Sequence, residues 1–156
     1  MVEQKARTVD MHRLGVALWA RLARAYGHNL RLAEGRMRAW ELSVAQFDVL
    51  ATVRSHEGLT QQELAKRLLV TQGNITQLLD KLEQRELIRR CPEGRIKRIV
   101  LTEAGRRLAD QAVPSQEQFQ VEQFASLTID EQRSLLALLR KLQHGQARAD
   151  AGASDQ

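Results

Sequence analysis

A chain of 156 residues, 43% apolar but only 4% aromatic, holds enough hydrophobic material for one domain, or one domain with an extension, with a core drawn mainly from Leu, Val, Ile and Ala. A single Cys excludes an internal disulfide framework and fits a reducing cytoplasm; no Cys/His cluster has metal-ligand spacing, and no apolar run reaches the roughly 20 residues that span a bilayer, so neither a metal, a cofactor nor a membrane is expected. The net charge of +5 is unevenly spread: residues 1–59 carry +3, residues 60–107 carry +5 and residues 108–156 carry −3, with +5 inside Arg89–Arg107 alone, a concentration that suits a polyanionic partner.

Taken in order, residues 1–8 are polar, and Asp10 is placed to cap a helix starting near Met11. The N-terminal segment, MVEQKARTVDMHR, lacks the apolar core of a secretory signal. Leu14, Leu18, Leu22, Tyr26 and Leu30 then recur every four residues, with Trp19 beside them, which predicts a long helix to about Arg36. So wide an apolar stripe near a chain terminus needs a partner, and a second subunit is one candidate.

Three helix starts follow. Ser43 and Gln46 form a capping box with Leu42 and Phe47 as its hydrophobic staple. Thr60 and Glu63 repeat the device with Leu59 and Leu64. Thr71 caps a third helix with Val70 and Ile75 as staple. The expected helices are Val44–Arg54, Gln61–Leu68 and Gln72–Arg85.

The third of these organises the chain. Ile75, Leu78, Leu79 and Leu82 fall on one face, while Gly73, Gln77, Asp80, Lys81 and Gln84 point the other way. Gln and Asn amides carry a donor and an acceptor at fixed separation, which suits the edge of an adenine. A solvated surface helix has much the same composition. The short turn Leu69-Val70 and the basic segment that follows favour a helix-turn-helix whose second helix enters the DNA major groove.

Next, Ile88-Arg89-Arg90 leads to a Pro92-Glu93-Gly94 turn, and Ile96–Leu101 is β-branched. The reading is a two-stranded hairpin with a basic tip at Arg95, placing Arg95, Lys97 and Arg98 within reach of a phosphate backbone or minor groove. Thr102 starts a helix that reads on to Leu127, in which Pro114 makes either a kink or an end with Ser115 opening a new helix; apolar Leu108, Ala112, Phe119 and Phe124 on both sides favour the kink. Thr128 and Glu131 form another capping box, opening a helix with Leu135, Leu136, Leu139 and Leu142 on one face. From Gly145 the sequence is small and polar, the composition of a disordered tail. His12, His28, His56 and His144 sit on separate elements with no nucleophile or metal partner, so no catalytic site is expected; few exposed aromatics argue against an RNA-binding winged helix.

The succession LTQQELAKRLLVTQGNITQLLDKLEQRELIRR…GRIKRIVLTEAGRRL resembles the MarR (multiple antibiotic resistance regulator) family of bacterial transcription factors, over about Leu14 to Leu142. The resemblance implies a mainly α fold with a small β wing, in which a winged helix-turn-helix head is carried on helical dimerisation arms. Residues 9–42 would form the N-terminal helix of the dimerisation region, 43–102 the DNA-binding head, 103–143 the C-terminal dimerisation helices and 144–156 the tail. It implies a homodimer on a palindromic double-stranded operator, acting as a repressor released by a small aromatic or phenolic ligand. The alternative is a redox-controlled or constitutive DNA-binding regulator without an inducer, with Cys91, set among arginines, as either a thiol switch or a passive strand residue.

By the same resemblance, Thr71, Gln72, Gly73, Asn74, Thr76 and Gln77 would read the groove and Lys81 would touch phosphate. Arg95 would enter the minor groove, and Lys66, Arg67, Arg89, Lys97 and Arg98 would be backbone contacts. An effector pocket would draw on Trp19, Tyr26, His28, Met37, Trp40 and Phe47, of which Trp19, Tyr26 and Phe47 also read as plain core. Three positions depart from the family pattern. Gln77 stands where Arg is common, Glu93-Gly94-Arg95 replaces an Asp-x-Arg wing signature, and Glu86 stands where a Gly commonly ends the recognition helix.

Overall fold

The computed structural model describes the backbone of residues 2–153 and the side chains of residues 10–146. Its elements, in chain order, are α1 (Val2–Met37), a 3-10 turn (Arg38–Trp40), α2 (Val44–Ser55), β1 (Leu59–Thr60), α3 (Gln61–Leu68), α4 (Gln72–Gln84), β2 (Ile88–Glu93), β3 (Ile96–Leu101), α5 (Glu103–Glu122) and α6 (Ile129–Ala153). The chain divides into two compact units, residues 1–116 and residues 117–156. It is mainly helical with one small antiparallel sheet, the fold class expected.

The capping chemistry expected from the sequence is present. Ser43 Oγ accepts from the Gln46 N–H while Gln46 Oε1 takes the Ser43 N–H. Thr60 and Glu63 make the same reciprocal pair at the start of α3, and Thr128 and Glu131 at the start of α6. Thr71 Oγ1 accepts from the Asn74 N–H, so α4 begins where the staple places it. The Thr60 N–H and hydroxyl, aimed at the Glu63 carboxylate, hold it below the usual carboxylate range; the Thr128 N–H and hydroxyl do the same for Glu131.

The core of the first unit is a single cluster. Val49, Leu50 and Val53 of α2, Leu64 of α3, Ile75, Leu79 and Leu82 of α4, and Ile88 and Ile99 of the sheet are all essentially solvent-free. The strand order is β1-β3-β2. Two residues, Leu59 and Thr60, pair with Ile99 and Arg98, so the expected two-stranded hairpin gains a third strand. A strand of two residues carries no periodicity to detect.

Three helical segments end on a left-handed residue that is not glycine: Glu41 (φ 52°), Leu69 (φ 54°) and Glu86 (φ 55°). Each is followed by the backbone bond of a Schellman turn, Leu42 N–H to Met37 O, Val70 N–H to Ala65 O and Leu87 N–H to Leu82 O. Each left-handed side chain costs roughly 1–2 kcal/mol. At Glu86 the conformation is braced, because Thr102 Oγ1 donates to the Glu86 carbonyl at 2.5 Å and the Thr102 N–H to the Leu87 carbonyl at 3.1 Å. Gly105 follows from the same joint: a Cβ there would stand 1.8 Å from the Leu87 carbonyl oxygen. Thus the Thr102–Gly105 start of α5 clamps the end of α4.

Four boundaries differ from those the sequence suggests. Helix α1 begins at Val2, so Asp10 lies within it rather than capping it; residues 2–9 contain no Gly or Pro to stop a helix. Helix α5 is continuous through Pro114, as a kink rather than an end requires, but it stops at Glu122, and residues 123–127 form turns. In the hairpin, Pro92 and Glu93 belong to β2, and the loop is Gly94-Arg95, with Gly94 at φ 59°, the first loop position where a two-residue II′ hairpin needs glycine. Helix α6 runs to Ala153 through most of the segment assigned to a tail, because its Ala, Arg and Gln residues sustain a helix past Gly145; residues 154–156, and Met1, lie outside the described residues.

The joint and the caps each predict a stability phenotype. Gly105→Ala forces backbone against backbone and should lower stability by about 3 kcal/mol, measured as a fall in the urea midpoint with unchanged slope. Because Glu63 and Glu131 titrate below their unfolded values, the stability they contribute is present at neutral pH and lost as pH falls through the carboxylate range. A Glu63→Gln/Glu131→Gln chain, which keeps the cap acceptors without titrating, should show a flatter dependence of Tm on pH between neutrality and mild acid.

Candidate nucleic-acid interface

Helix α4 is held by one face. Ile75, Leu79 and Leu82 are buried in the core and Leu78 is half-buried, so Thr71, Gln72, Gly73, Asn74, Gln77, Lys81 and Gln84 stand exposed on the other side. The groove-reading face expected from the 3.6-residue period is therefore presented to solvent. Thr76 is the exception. Its hydroxyl donates to the Gln72 carbonyl and accepts from Gln61 Nε2, each at 2.7 Å, so it ties α4 to α3 across the helix-turn-helix. Gln61, absent from the residues singled out in the sequence, sets that angle; its only sequence signal was its position directly after the Thr60 cap.

The cations separate into two groups. No hydrogen bond or ion pair within the described residues engages the side chains of Lys66, Arg67, Lys81, Arg89, Arg95 or Lys97, and all six are exposed. Arg90 and Arg98 are committed internally. Arg90 binds Asp80 Oδ1 at 2.6 Å and also pairs with Glu83, fastening β2 to α4. Burial works against the Arg90 charge, but the two carboxylates outweigh it and raise its affinity for the proton. Arg98 binds Glu93 Oε2 at 2.5 Å and the Gly58 carbonyl at 3.0 Å, linking the base of the wing to the turn before β1. Glu93 thus braces the wing by holding Arg98, and it leaves Arg95 at the loop free. Arg98, expected at the phosphate backbone, is placed as a structural brace.

Glu83 and Asp80 would otherwise set negative charge beside a groove-facing helix. Arg90 pairs with both and cancels one of their two charges, and the exposed Lys66, Arg67, Lys81, Arg89, Arg95 and Lys97 outnumber what is left, so the surface of α3, α4 and the wing carries a net positive field. Cys91 lies half-buried in β2, opposite Arg98 in the register. Among the described residues no group of His, Cys, Asp and Glu has the arrangement to hold a metal ion, and no helix is long and apolar enough to cross a membrane.

The six residues expected to line an effector pocket are not gathered in one place. Met37 and Phe47 are buried in the core of the first unit and Trp40 packs against it. Trp19, Tyr26 and His28 are exposed on α1, with Trp19 71% and Tyr26 67% open.

Comparison with known proteins agrees with this surface. Residues 40–99 match the model of the MarR family. An HTH-type transcriptional regulator of Bacillus cereus, itself uncharacterised, is 37% identical over 130 residues, covering 83% of this chain and 88% of that protein. The HTH-type transcriptional repressor NicR of Pseudomonas putida is 32% identical over 124 residues, covering 78% of each. Among solved structures, a mutant MarR from E. coli complexed with operator DNA superposes with a TM-score of 0.75 at 27% identity, covering 81% of this chain and 94% of its own. BpsR of Bordetella bronchiseptica, whose DNA binding is regulated by 6-hydroxynicotinic acid, gives a TM-score of 0.74 at 25% identity, covering 81% and 98%.

The division of the cations predicts two phenotypes. Lys81→Ala or Arg95→Ala should leave Tm unchanged, weaken binding to every duplex and make the salt dependence shallower by about 0.9 in log–log slope for each phosphate no longer neutralised. Arg98→Ala should instead lower Tm. Fluorescence anisotropy over a salt series, with thermal melts in parallel, separates them.

Proposed function

This chain belongs to the MarR family of DNA-binding transcriptional regulators, and we propose that it works as a homodimeric repressor on a two-fold symmetric operator, released by a small aromatic or phenolic acid. That it is a regulator of transcription rather than an enzyme follows from the family. The dimer, the symmetry and the effector are the proposal.

The observation that carries the dimer is the surface of α1. Met11, Leu14, Leu18, Trp19 and Tyr26 are each 58–73% exposed and fall along one side of the helix, an apolar stripe of the kind that marks an interaction surface. Helix α6 carries its own exposed apolar residues, Ile129, Leu136, Leu138 and Leu142. Two such arms pairing across a two-fold axis would bury both stripes, and the two heads would then enter successive major grooves about 34 Å apart. Each head offers the exposed α4 face for base edges, with Gln77, where Arg is common in the family, setting a distinct base preference. Arg95 reaches the minor groove, and Lys66, Arg67, Lys81, Arg89 and Lys97 neutralise phosphates. Such a protein acts where the chromosome lies, in the cytoplasm.

An effector acts by favouring a different head separation. Moving occupancy from 99:1 to 1:99 needs about 5.5 kcal/mol of differential affinity. The regulation of BpsR by 6-hydroxynicotinic acid makes that compound, and simple hydroxylated aromatic acids, the first to test. Trp19, exposed on the arm, and Trp40, at the junction with the head, are the reporters.

The full-length protein should elute as a dimer and select a palindrome from random duplex DNA. Gln77→Ala should relax preference among the selected sites rather than weaken all of them equally. A saturable change in tryptophan fluorescence that tracks release of DNA would support the effector. Selection of an asymmetric site, or a monomer that binds DNA at full strength, would overturn the dimeric reading.

A further inference from the structure

Of the three left-handed helix ends, two are braced and one is not. The Glu41 carbonyl accepts Arg85 Nη1 at 2.6 Å, and the Glu86 carbonyl accepts the Thr102 hydroxyl at 2.5 Å. Leu69 has only its own Schellman turn, and its side chain is 92% exposed, the most open of the large apolar residues described. A leucine in this backbone conformation is strained, and one so exposed gains nothing from burial. Glycine or asparagine would close α3 at least as well. The isolated fold thus supplies no use for an isobutyl group at this position.

Its surroundings do supply one. Lys66 and Arg67, both exposed, precede it on the last turn of α3; Thr71, Gln72 and Gly73, the exposed start of α4, follow it. Leu69 therefore lies between side chains suited to phosphate and side chains suited to base edges. The one apolar group on a base edge in the major groove is the thymine C5-methyl. We propose that Leu69 is a specificity-determining residue that packs against a thymine methyl at the edge of the operator half-site. This rests on the DNA-binding reading of α4 and extends it to a residue outside the helix.

The test uses the full-length protein and the duplex it selects from a random pool. Each thymine is replaced in turn, symmetrically in both half-sites, by deoxyuridine, which lacks only the methyl. Wild-type affinity should fall at one position, by about fourfold per half-site, the worth of one buried methyl. Leu69→Ala keeps the same strained backbone and an exposed side chain, so its Tm should match the wild type. It should bind the thymine duplex as weakly as the wild type binds the deoxyuridine duplex, and show no difference between the two. Leu69→Gly, with the strain removed, should lose the same discrimination while remaining at least as well folded. The inference fails if Leu69→Ala matches the wild type on every duplex, or if it keeps the wild-type ratio between the thymine and deoxyuridine duplexes. If the wild type selects no site at all, the regulator reading itself falls, a result distinct from either.

Discussion

Whatever this head offers a duplex depends on the anchoring of α4. Ile75, Leu79 and Leu82 reach the solvent-free centre of the core from a single face. Burying side chains of this size is worth about 1.5–3 kcal/mol each. Turning the helix by one residue, roughly 100°, would draw all three out and drive in Thr76, Asp80 and Glu83 one way, or Asn74, Leu78 and Lys81 the other. The outward face, amides first and Lys81 a turn later, is therefore set by what lies inside. The Thr76–Gln61 bond then holds α4 against α3, and the Thr102–Glu86 joint holds its far end against α5.

Charge on the head follows a division of labour that net charge conceals. Arg90 and Arg98 commit their positive charge to Asp80, Glu83, Glu93 and a backbone carbonyl, and in doing so fasten the wing to the helix and to the turn before β1. Lys66, Arg67, Lys81, Arg89, Arg95 and Lys97 have no hydrogen bond or ion pair among the described residues and can meet phosphate without breaking one. A duplex approaching this surface meets a field from unpaired side chains on a frame held by the paired ones.

Strain is distributed in a similar way. The three non-glycine left-handed residues all lie at corners where a helix hands the chain to the next element. Arg85, the residue that caps α4, donates to the Glu41 carbonyl, so the end of the groove-facing helix is tied to the corner that follows α1. Arg36, in the last turn of α1, donates to Ser115 just after Pro114. Through these two contacts the end of α1 and the corner after it are linked to α5 and α4.

Local chemistry was legible in the sequence wherever it repeats or caps. The apolar period of α4, the Ser43, Thr60, Thr71 and Thr128 caps and the basic hairpin needed only neighbouring residues, and the resemblance to a family followed from them. Glu86 was legible only as an acid standing where the family commonly has glycine; that it takes the left-handed conformation itself, at φ 55°, rather than ending the helix another way was decided by the structure. What tertiary structure decided was every question of partnership across the chain. Sequence spacing cannot tell that Thr76 faces Gln61 fifteen residues away, that Arg98 belongs to Glu93 and Gly58 while Arg95 stays free, or that a two-residue strand joins the hairpin. Nor can it tell that Leu69 is exposed, since a leucine beside a helix end reads as core until packing shows that no neighbour covers it. Short-range patterns choose the elements; which side chains remain unspent is settled only when those elements meet.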